Sequence, residues 1–163
     1  MPVTTDIART YRGPRRVVRD LLAMGQREDR AIMWLMIGCF VVFISRLPAL
    51  QRAAVLTGSD FARDAAYAFF GLMMLAPLIF YVLAVLGQGV ARVLGGRPSS
   101  YGARVALFWA WLAAAPLALL YGLLVGFNGA EAPATALIGA RGLGVLAVFW
   151  VLGLIEASKG GAQ

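Results

Sequence analysis

The sequence predicts an all-α membrane protein, with about four transmembrane helices preceded by a short amphipathic helix at the membrane interface. Two observations carry this prediction. Of 163 residues, 61% are hydrophobic and 14% are charged, whereas soluble domains average about 45–50% apolar and about 25% charged residues. The mean hydropathy is +0.78, and the apolar residues are gathered into long runs. We therefore expect the lipid bilayer to be a partner of this chain.

Four runs are long enough to span a membrane, because a helix needs about 20 mostly apolar residues to cross about 30 Å of hydrocarbon. They are Ala31 to Leu50, Ala65 to about Gly87 with a continuation to Leu94, Gly102 to Phe127, and Pro133 to Ala157. The first is expected to end at Arg46, Pro48 and Arg52. The second is too long for one upright helix and too short for two, so we interpret it as one tilted or kinked span. A five-span alternative would require that run to be split.

The basic residues lie mostly on one side of these spans. With four spans, the N-terminal tail, the middle loop and the C-terminal tail share a side, and they hold most of the 15 Lys and Arg residues. An excess of Lys and Arg marks the cytoplasmic side, so we expect a multi-pass protein with both termini cytoplasmic. The net charge of +7 also suits nucleic acid. Its concentration before residue 31 favours the membrane surface instead, and no nucleic-acid partner is predicted.

The basic tail over residues 1–30 contains an amphipathic segment from Pro14 to Gly25. At about 100° per residue, its apolar side chains fall on one side and Arg15, Arg16 and Arg19 on the other. Such a helix can lie on an anionic leaflet with its apolar face in the acyl boundary. Alternatively, it packs against the bundle as an ordinary helix before the first span. The four-helix domain then covers 31–157, and a short C-terminal tail covers 158–163.

Two spans share a local pattern with a proline near its end. Residues 69–78 align without gaps on residues 108–117, which places Pro77 and Pro116 in mid-span. A proline there removes one backbone hydrogen bond and commonly kinks the helix. The favoured interpretation is two kinked helices that pack well. The other is a paired discontinuity that lines a substrate path, as in transporters with internal repeats.

The third span carries small residues at a strict spacing of four. They are Ala106, Ala110, Ala114, Ala118, Gly122 and Gly126. Lipid provides no hydrophobic drive between helices, so a small-residue groove supplies packing energy by letting backbones approach closely. We expect this stripe to form a tight helix–helix contact. The contact is either within one chain or between two, which leaves the chain itself or another membrane protein as a partner.

The chain lacks the usual equipment of an enzyme. It has no histidine, which removes the commonest general base and most zinc sites. Its single cysteine, Cys39, lies in an apolar run and has no partner for an intrachain disulfide. No phosphate loop, Rossmann fingerprint or carboxylate pair is present. We therefore predict no catalytic, cofactor-binding or metal-binding residues, no cofactor and no enzymatic activity.

Arg141 is the only charge set well inside a predicted span, about six residues from its non-cytoplasmic end. An intramembrane charge is a candidate functional group and usually has a partner. The alternatives are that Arg141 snorkels outward or pairs with Glu131. Four aromatic residues near predicted span ends are expected to lie at the membrane interface: Trp34, Tyr67, Tyr101 and Trp150.

In its arrangement the chain resembles a small bacterial member of the Yip family, the Ypt/Rab-interacting proteins. A tail with Pro14-Arg15 and Arg27-Glu28-Asp29-Arg30 leads into a span with Leu47-Pro48, and a Gly95-Gly96 loop leads to Tyr101-Gly102-Ala103-Arg104 and a span with Ala115-Pro116. The Asp-Leu-Tyr-Gly-Pro type motif of eukaryotic members is absent, and their usual span count is five. The resemblance implies a non-enzymatic scaffold or trafficking-like module in the bacterial cytoplasmic membrane.

Two other classes of function stay open. A small transporter or permease component would use the two proline-kinked spans, although the four spans offer no intramembrane Asp, Glu or His for ion coupling. An accessory subunit of a larger membrane complex would act through its helix contacts.

Overall fold

The computed structural model describes residues 3–160, and these residues form α-helices joined by short turns. The helices are α1 Val3–Thr10, α2 Pro14–Ala23, α3 Glu28–Thr57, α4 Phe61–Phe70, α5 Ala76–Val93, α6 Ser100–Asn128 and α7 Pro133–Gly160. A π-helical turn, Gly71–Leu75, joins α4 to α5. Four segments are long and apolar enough to cross a membrane: Glu28–Thr57, Phe61–Val93, Ser100–Asn128 and Pro133–Lys159. The predicted all-α membrane-type fold with four spans is confirmed.

Helix α6 is the centre of the bundle. Its first half is almost entirely buried, and α3 and α7 pack along it as its main neighbours. The largest buried side chains include Trp109, Phe108 and Leu107 of α6 and Leu35 of α3. Large apolar side chains cover the exterior of α3, α5 and α7. An apolar core with an apolar exterior is the distribution that a bundle surrounded by lipid requires.

The two ends of the bundle differ in charge. At one end α3 and α6 begin and α7 finishes, and an ion pair between Glu28 and Arg104 links the first two. This end, together with α1 and α2, carries Arg9, Arg12, Arg15, Arg16, Arg19, Arg27, Arg30, Arg92, Arg97, Arg104 and Lys159. We call it the basic end.

Helix α3 continues past the point where the sequence predicts its end. Pro48 lies inside the helix, which runs on to Thr57 and stops at Gly58 with a positive φ of 70°. The extension has a packing reason. Arg52 donates from Nη1 to the carbonyl oxygens of Gly126 at 3.3 Å and Phe127 at 2.9 Å. These are among the carbonyl groups left without helical partners at the end of α6, so Arg52 satisfies them.

The second span is one helical segment with an irregular turn in its first half. The backbone N–H of Ala76 donates to the carbonyl of Gly71, five residues earlier. Pro77 follows directly and has no N–H to donate to the turn before it. A π-turn at this place accommodates the missing hydrogen bond within a continuous helix. The run is therefore not split into two spans.

Candidate functional site

The N-terminal residues pack into the bundle rather than beside it. Trp109 donates from Nε1 to the hydroxyl of Thr10 at 3.0 Å, and Thr10 is fully buried. The hydroxyl of Tyr11 donates to the carbonyl of Ala113 at 2.9 Å. The ring of Tyr11 meets Phe149 of α7 edge-on, with 5.2 Å between centroids. Burial raises the pKa of Tyr11 above its ordinary value. The turn between α1 and α2 is thus anchored to both α6 and α7.

Helix α2 uses its apolar face for packing within the protein. Val17, Val18 and Leu21 are 3%, 2% and 4% exposed, and α2 packs mainly against α7 and also against α6. Of the two alternatives for the amphipathic segment, the structure has the helix packed on the bundle. Its apolar face is not available to acyl chains, because the protein already covers it. The helix also ends at Ala23, two residues before the predicted end.

The basic face of α2 is bound to the end of α7 through a buried acid. Arg19 donates from Nε to Oε1 of Glu156 at 2.6 Å, and Arg15 donates from Nε to Oε2 at 3.3 Å. The Glu156 side chain is only 5% exposed. The hydrogen bond with Glu156 raises the pKa of Arg19 above its ordinary value. Arg16 is exposed and makes no ion pair with any residue in the range 3–160.

Glu156 is not among the functional residues that the sequence pattern predicts. One feature of the sequence could have identified it: Glu156 is the one acid in an otherwise apolar run near the end of the fourth span. A buried carboxylate costs free energy unless it is paired, so such a residue predicts a basic partner. Nothing in the sequence pattern says that the partners are Arg15 and Arg19, which lie 141 and 137 positions away.

The small-residue stripe of α6 contacts two different helices. Positions four apart turn by about 400°, so each step rotates the stripe by about 40° around the helix. At its far end the stripe meets α3. A Cβ added to Gly122 would lie 1.8 Å from the backbone oxygen of Ser45, and one added to Gly126 would lie 2.5 Å from Cβ of Pro48. These two glycines therefore let α3 and α6 touch backbone to backbone.

The first half of the stripe faces α7. A Cβ added to Gly153 would lie 3.0 Å from Cβ of Ala106, and Ala110 packs against Phe149. Ala114 and Ala118, in the middle, line a cavity between the two neighbours of α6. All six positions thus serve contacts or a cavity within one chain.

That cavity lies between α3, α6 and α7 and has a volume of about 620 Å³. Its walls are mostly apolar, and Arg46 contributes a cationic side chain. Ala115 and Leu117, on either side of Pro116, line it, but Pro116 itself does not. No lining residue comes from α4 or α5, so Pro77 has no part in it. The structure does not bring the two prolines to one shared cavity.

Arg141 lies on the side of α7 that faces away from the bundle. The next residue, Gly142, is beside Leu117, and a Cβ added there would lie 3.8 Å from that of Leu117. Leu117 lies eleven residues before the end of α6, and Arg141 lies eight residues after the start of α7, so Arg141 is about a third of the way along α7. The side chain is exposed, and among the described residues it has no ion pair; Glu131 is not its partner.

We call this surface the outer face of α7. It consists of Leu137, Arg141, Gly144 and Val148, which are all exposed. Their spacing of three or four residues places them along one side of the helix. A Cβ added to Gly144 would meet no atom within 4 Å. The outer face is therefore an open apolar surface with one cation at its centre.

These features define the class: an all-α bundle of the multi-pass membrane type, with a hairpin of two short helices packed at its basic end. Within residues 3–160 no group of three or more His, Cys, Asp or Glu side chains could hold a metal ion. Comparisons with protein-family models, with curated proteins and with solved structures found no match.

Proposed function

We propose that this chain is a non-enzymatic scaffold of the Yip type in the bacterial cytoplasmic membrane, with both termini in the cytoplasm, and that it holds another membrane protein against the outer face of α7. The observation that carries the proposal is Arg141, an exposed cation eight residues inside the fourth membrane-spanning segment that makes no ion pair with any described residue. The concentration of basic residues at the end where α1 and α2 lie and α7 finishes supports the orientation. The absence of histidine from the chain supports a non-enzymatic role.

An arginine that lies inside a span and has no ion pair is unfavourable in a lone bundle. Translocon scales place the cost of a charge at the centre of a span at about 2.5–3.5 kcal/mol, and such residues almost always face a bundle interior or a partner. Arg141 instead lies between exposed Leu137 and Val148. Gly144, one turn further on, leaves room for a second helix to approach the backbone of α7 closely. An acidic partner helix would neutralise the cation and fill this space.

A second copy of this chain does not supply that acid. In a symmetric dimer about an axis along the membrane normal, Arg141 meets residues at its own depth. The acids in the four spans are near helix ends: Glu28 and Asp29 of α3, Asp64 of α4 and Glu156 of α7. Glu156 is already bonded to Arg15 and Arg19. The partner is therefore a different chain with a carboxylate at the depth of Arg141, as an accessory subunit would require.

The proposal is tested by crosslinking in intact cells. A photoreactive residue replaces Val148 on the outer face of α7, and a matched control replaces Val82, an exposed valine of α5. We expect one discrete heteromeric adduct from position 148 and none from position 82. The adduct should disappear with Arg141→Ala and persist with Arg141→Lys, because the cation is what the partner recognises. No adduct, or only one of twice the 17.4 kDa chain mass, would contradict the proposal.

A second candidate function, a small permease component, is favoured by the cavity of about 620 Å³ between α3, α6 and α7. Its cationic side chain, Arg46, would bind an anionic solute. Uptake of a radiolabelled organic acid by proteoliposomes tests it. Uptake that is lost with Arg46→Ala and with Pro116→Ala, but not with Pro77→Ala, would support transport. Equal uptake by empty vesicles would exclude it for that solute.

A further inference from the structure

A groove of about 630 Å³ at the basic end is lined almost entirely by cations. Its lining residues are Arg9, Arg12, Gly13, Arg15, Arg16, Val17, Arg19 and Lys159. It lies where the beginning of α2 meets the end of α7. We call it the basic groove. So many positive side chains around one depression make a strong local field that attracts anions.

Glu156 lies beneath the basic groove and holds two of its arginines in place. The carboxylate is buried and is not a lining residue. It accepts one hydrogen bond from Nε of Arg15 and one from Nε of Arg19. Both guanidinium groups therefore keep their terminal Nη donors for a ligand. Because Glu156 already restrains these two side chains, they lose less conformational entropy on binding a ligand than unrestrained arginines would.

Three further cations of the groove are available as well. Arg12, Arg16 and Lys159 are exposed and make no ion pair with any residue in the part of the chain that the structure describes. Planar guanidinium donors match the oxygen geometry of phosphate, and Arg is preferred where bidentate recognition of phosphate matters. The chemistry of the groove is thus that of a multivalent phosphate site.

The position of the groove identifies the source of the phosphate. Lys159 closes the fourth membrane-spanning segment, so the groove lies where that helix leaves the hydrocarbon. Ile155, one turn before Lys159, and Val151, another turn before, are exposed apolar residues of α7. A lipid with its headgroup in the groove would run its acyl chain along these two side chains. We propose that the basic groove binds the phosphate headgroup of an anionic phospholipid, a site independent of the outer face of α7.

The test uses the full-length protein, delipidated in a zwitterionic detergent and titrated with phosphatidylglycerol or phosphatidylcholine, with bound lipids counted by native mass spectrometry. Arg12→Gln/Arg16→Gln removes two cations of the groove. Arg92→Gln/Arg97→Gln removes two cations from the same end but outside it. Each basic residue near a lipid surface contributes about 1 kcal/mol, which corresponds to about fivefold in affinity. We expect Arg12→Gln/Arg16→Gln to bind phosphatidylglycerol at least about tenfold more weakly than the wild type. Arg92→Gln/Arg97→Gln should bind it like the wild type.

Three outcomes would overturn the site. An equal loss of phosphatidylglycerol affinity in the two double variants would mean that the whole basic end attracts the lipid without a specific site. Equal binding of phosphatidylcholine and phosphatidylglycerol would mean no preference for an anionic lipid. Inorganic phosphate that displaces the lipid at comparable concentrations would mean that the groove takes a soluble phosphate. Circular dichroism checks the helical content of each variant, and the Val148 crosslink, measured in the same variants, reports on the scaffold role separately.

Discussion

Arg19 and Glu156 bring the two ends of the chain together: Nε of Arg19 lies 2.6 Å from Oε1 of Glu156. The arginine belongs to α2, before the first span, and the acid to the last turns of α7. Because Arg15 bonds the second carboxylate oxygen, one buried acid holds two side chains of α2. The orientation of α2 and the shape of the basic groove therefore depend on this ion-pair cluster together with the apolar packing of α2.

Glu156→Gln is predicted to loosen α2 from the bundle. The variant keeps the size of the side chain but removes the charge that holds two guanidinium groups. Hydrogen bonds to charged groups are stronger than neutral ones, so we expect backbone amide exchange in α2 to rise about tenfold. Hydrogen–deuterium exchange read by mass spectrometry measures this. Glu131→Gln, an exposed acid with no ion pair among the described residues, is the control. Unchanged exchange in Glu156→Gln would mean that apolar packing alone holds α2.

Gly122→Ala is predicted to weaken the contact between α3 and α6. The new methyl group would lie 1.8 Å from the backbone oxygen of Ser45, and backbone atoms cannot move aside without separating the helices. Overpacking of this kind costs about 1–3 kcal/mol, and Gly122→Leu should cost more. Thermal unfolding in detergent measures the loss. Gly144→Ala is the matched control, because its methyl group meets nothing within 4 Å. A similar melting temperature for both variants would contradict the close contact.

The spans could be predicted from the sequence because lipid imposes a simple rule on length and polarity. Composition and run length gave four spans, and the turn at Gly129, with a positive φ, falls between the third and fourth runs as expected. The end of α3 could not be predicted in this way. Pro48 and Arg52 indicate a stop locally, yet both have partners on α6 that make the longer helix favourable.

The side-chain environment was less predictable than the spans. Trp34 was expected at the membrane interface, but it is 3% exposed and packs edge-on against Trp109. Tyr101 is also buried, with its hydroxyl directed to the carbonyl of Gly25, whereas Tyr67 is 70% exposed. Aromatic side chains suit either place. The tertiary packing around each side chain decides between them, and periodicity carries no information on that packing.

Arg52→Ala is predicted to fray the end of α6. Nη1 of Arg52 donates to the carbonyl oxygens of Gly126 and Phe127. Because α6 stops at Asn128, the helix has no backbone N–H groups to donate to these two oxygens. Removing the guanidinium should raise amide exchange over the last turn of α6 several-fold, about the effect of losing one charged hydrogen bond. Arg63→Ala is the control, because it removes an exposed arginine that pairs with Asp64 at the same end of the bundle. Equal exchange in the two variants would contradict the capping role.

Tyr11→Phe is predicted to destabilise the N-terminal hairpin modestly while leaving the spans in place. The substitution keeps the ring that meets Phe149 and removes only the hydroxyl that donates to the carbonyl of Ala113. Loss of one neutral hydrogen bond costs about 0.5–1.5 kcal/mol, so limited proteolysis of α1 should become faster while thermal unfolding of the bundle changes little. Tyr67→Phe, at a tyrosine that is 70% exposed, should have no effect on either measurement. If Tyr11→Phe were as resistant to protease as the wild type, the aromatic contact with Phe149 and the pairing of Thr10 with Trp109 would be sufficient to anchor the hairpin.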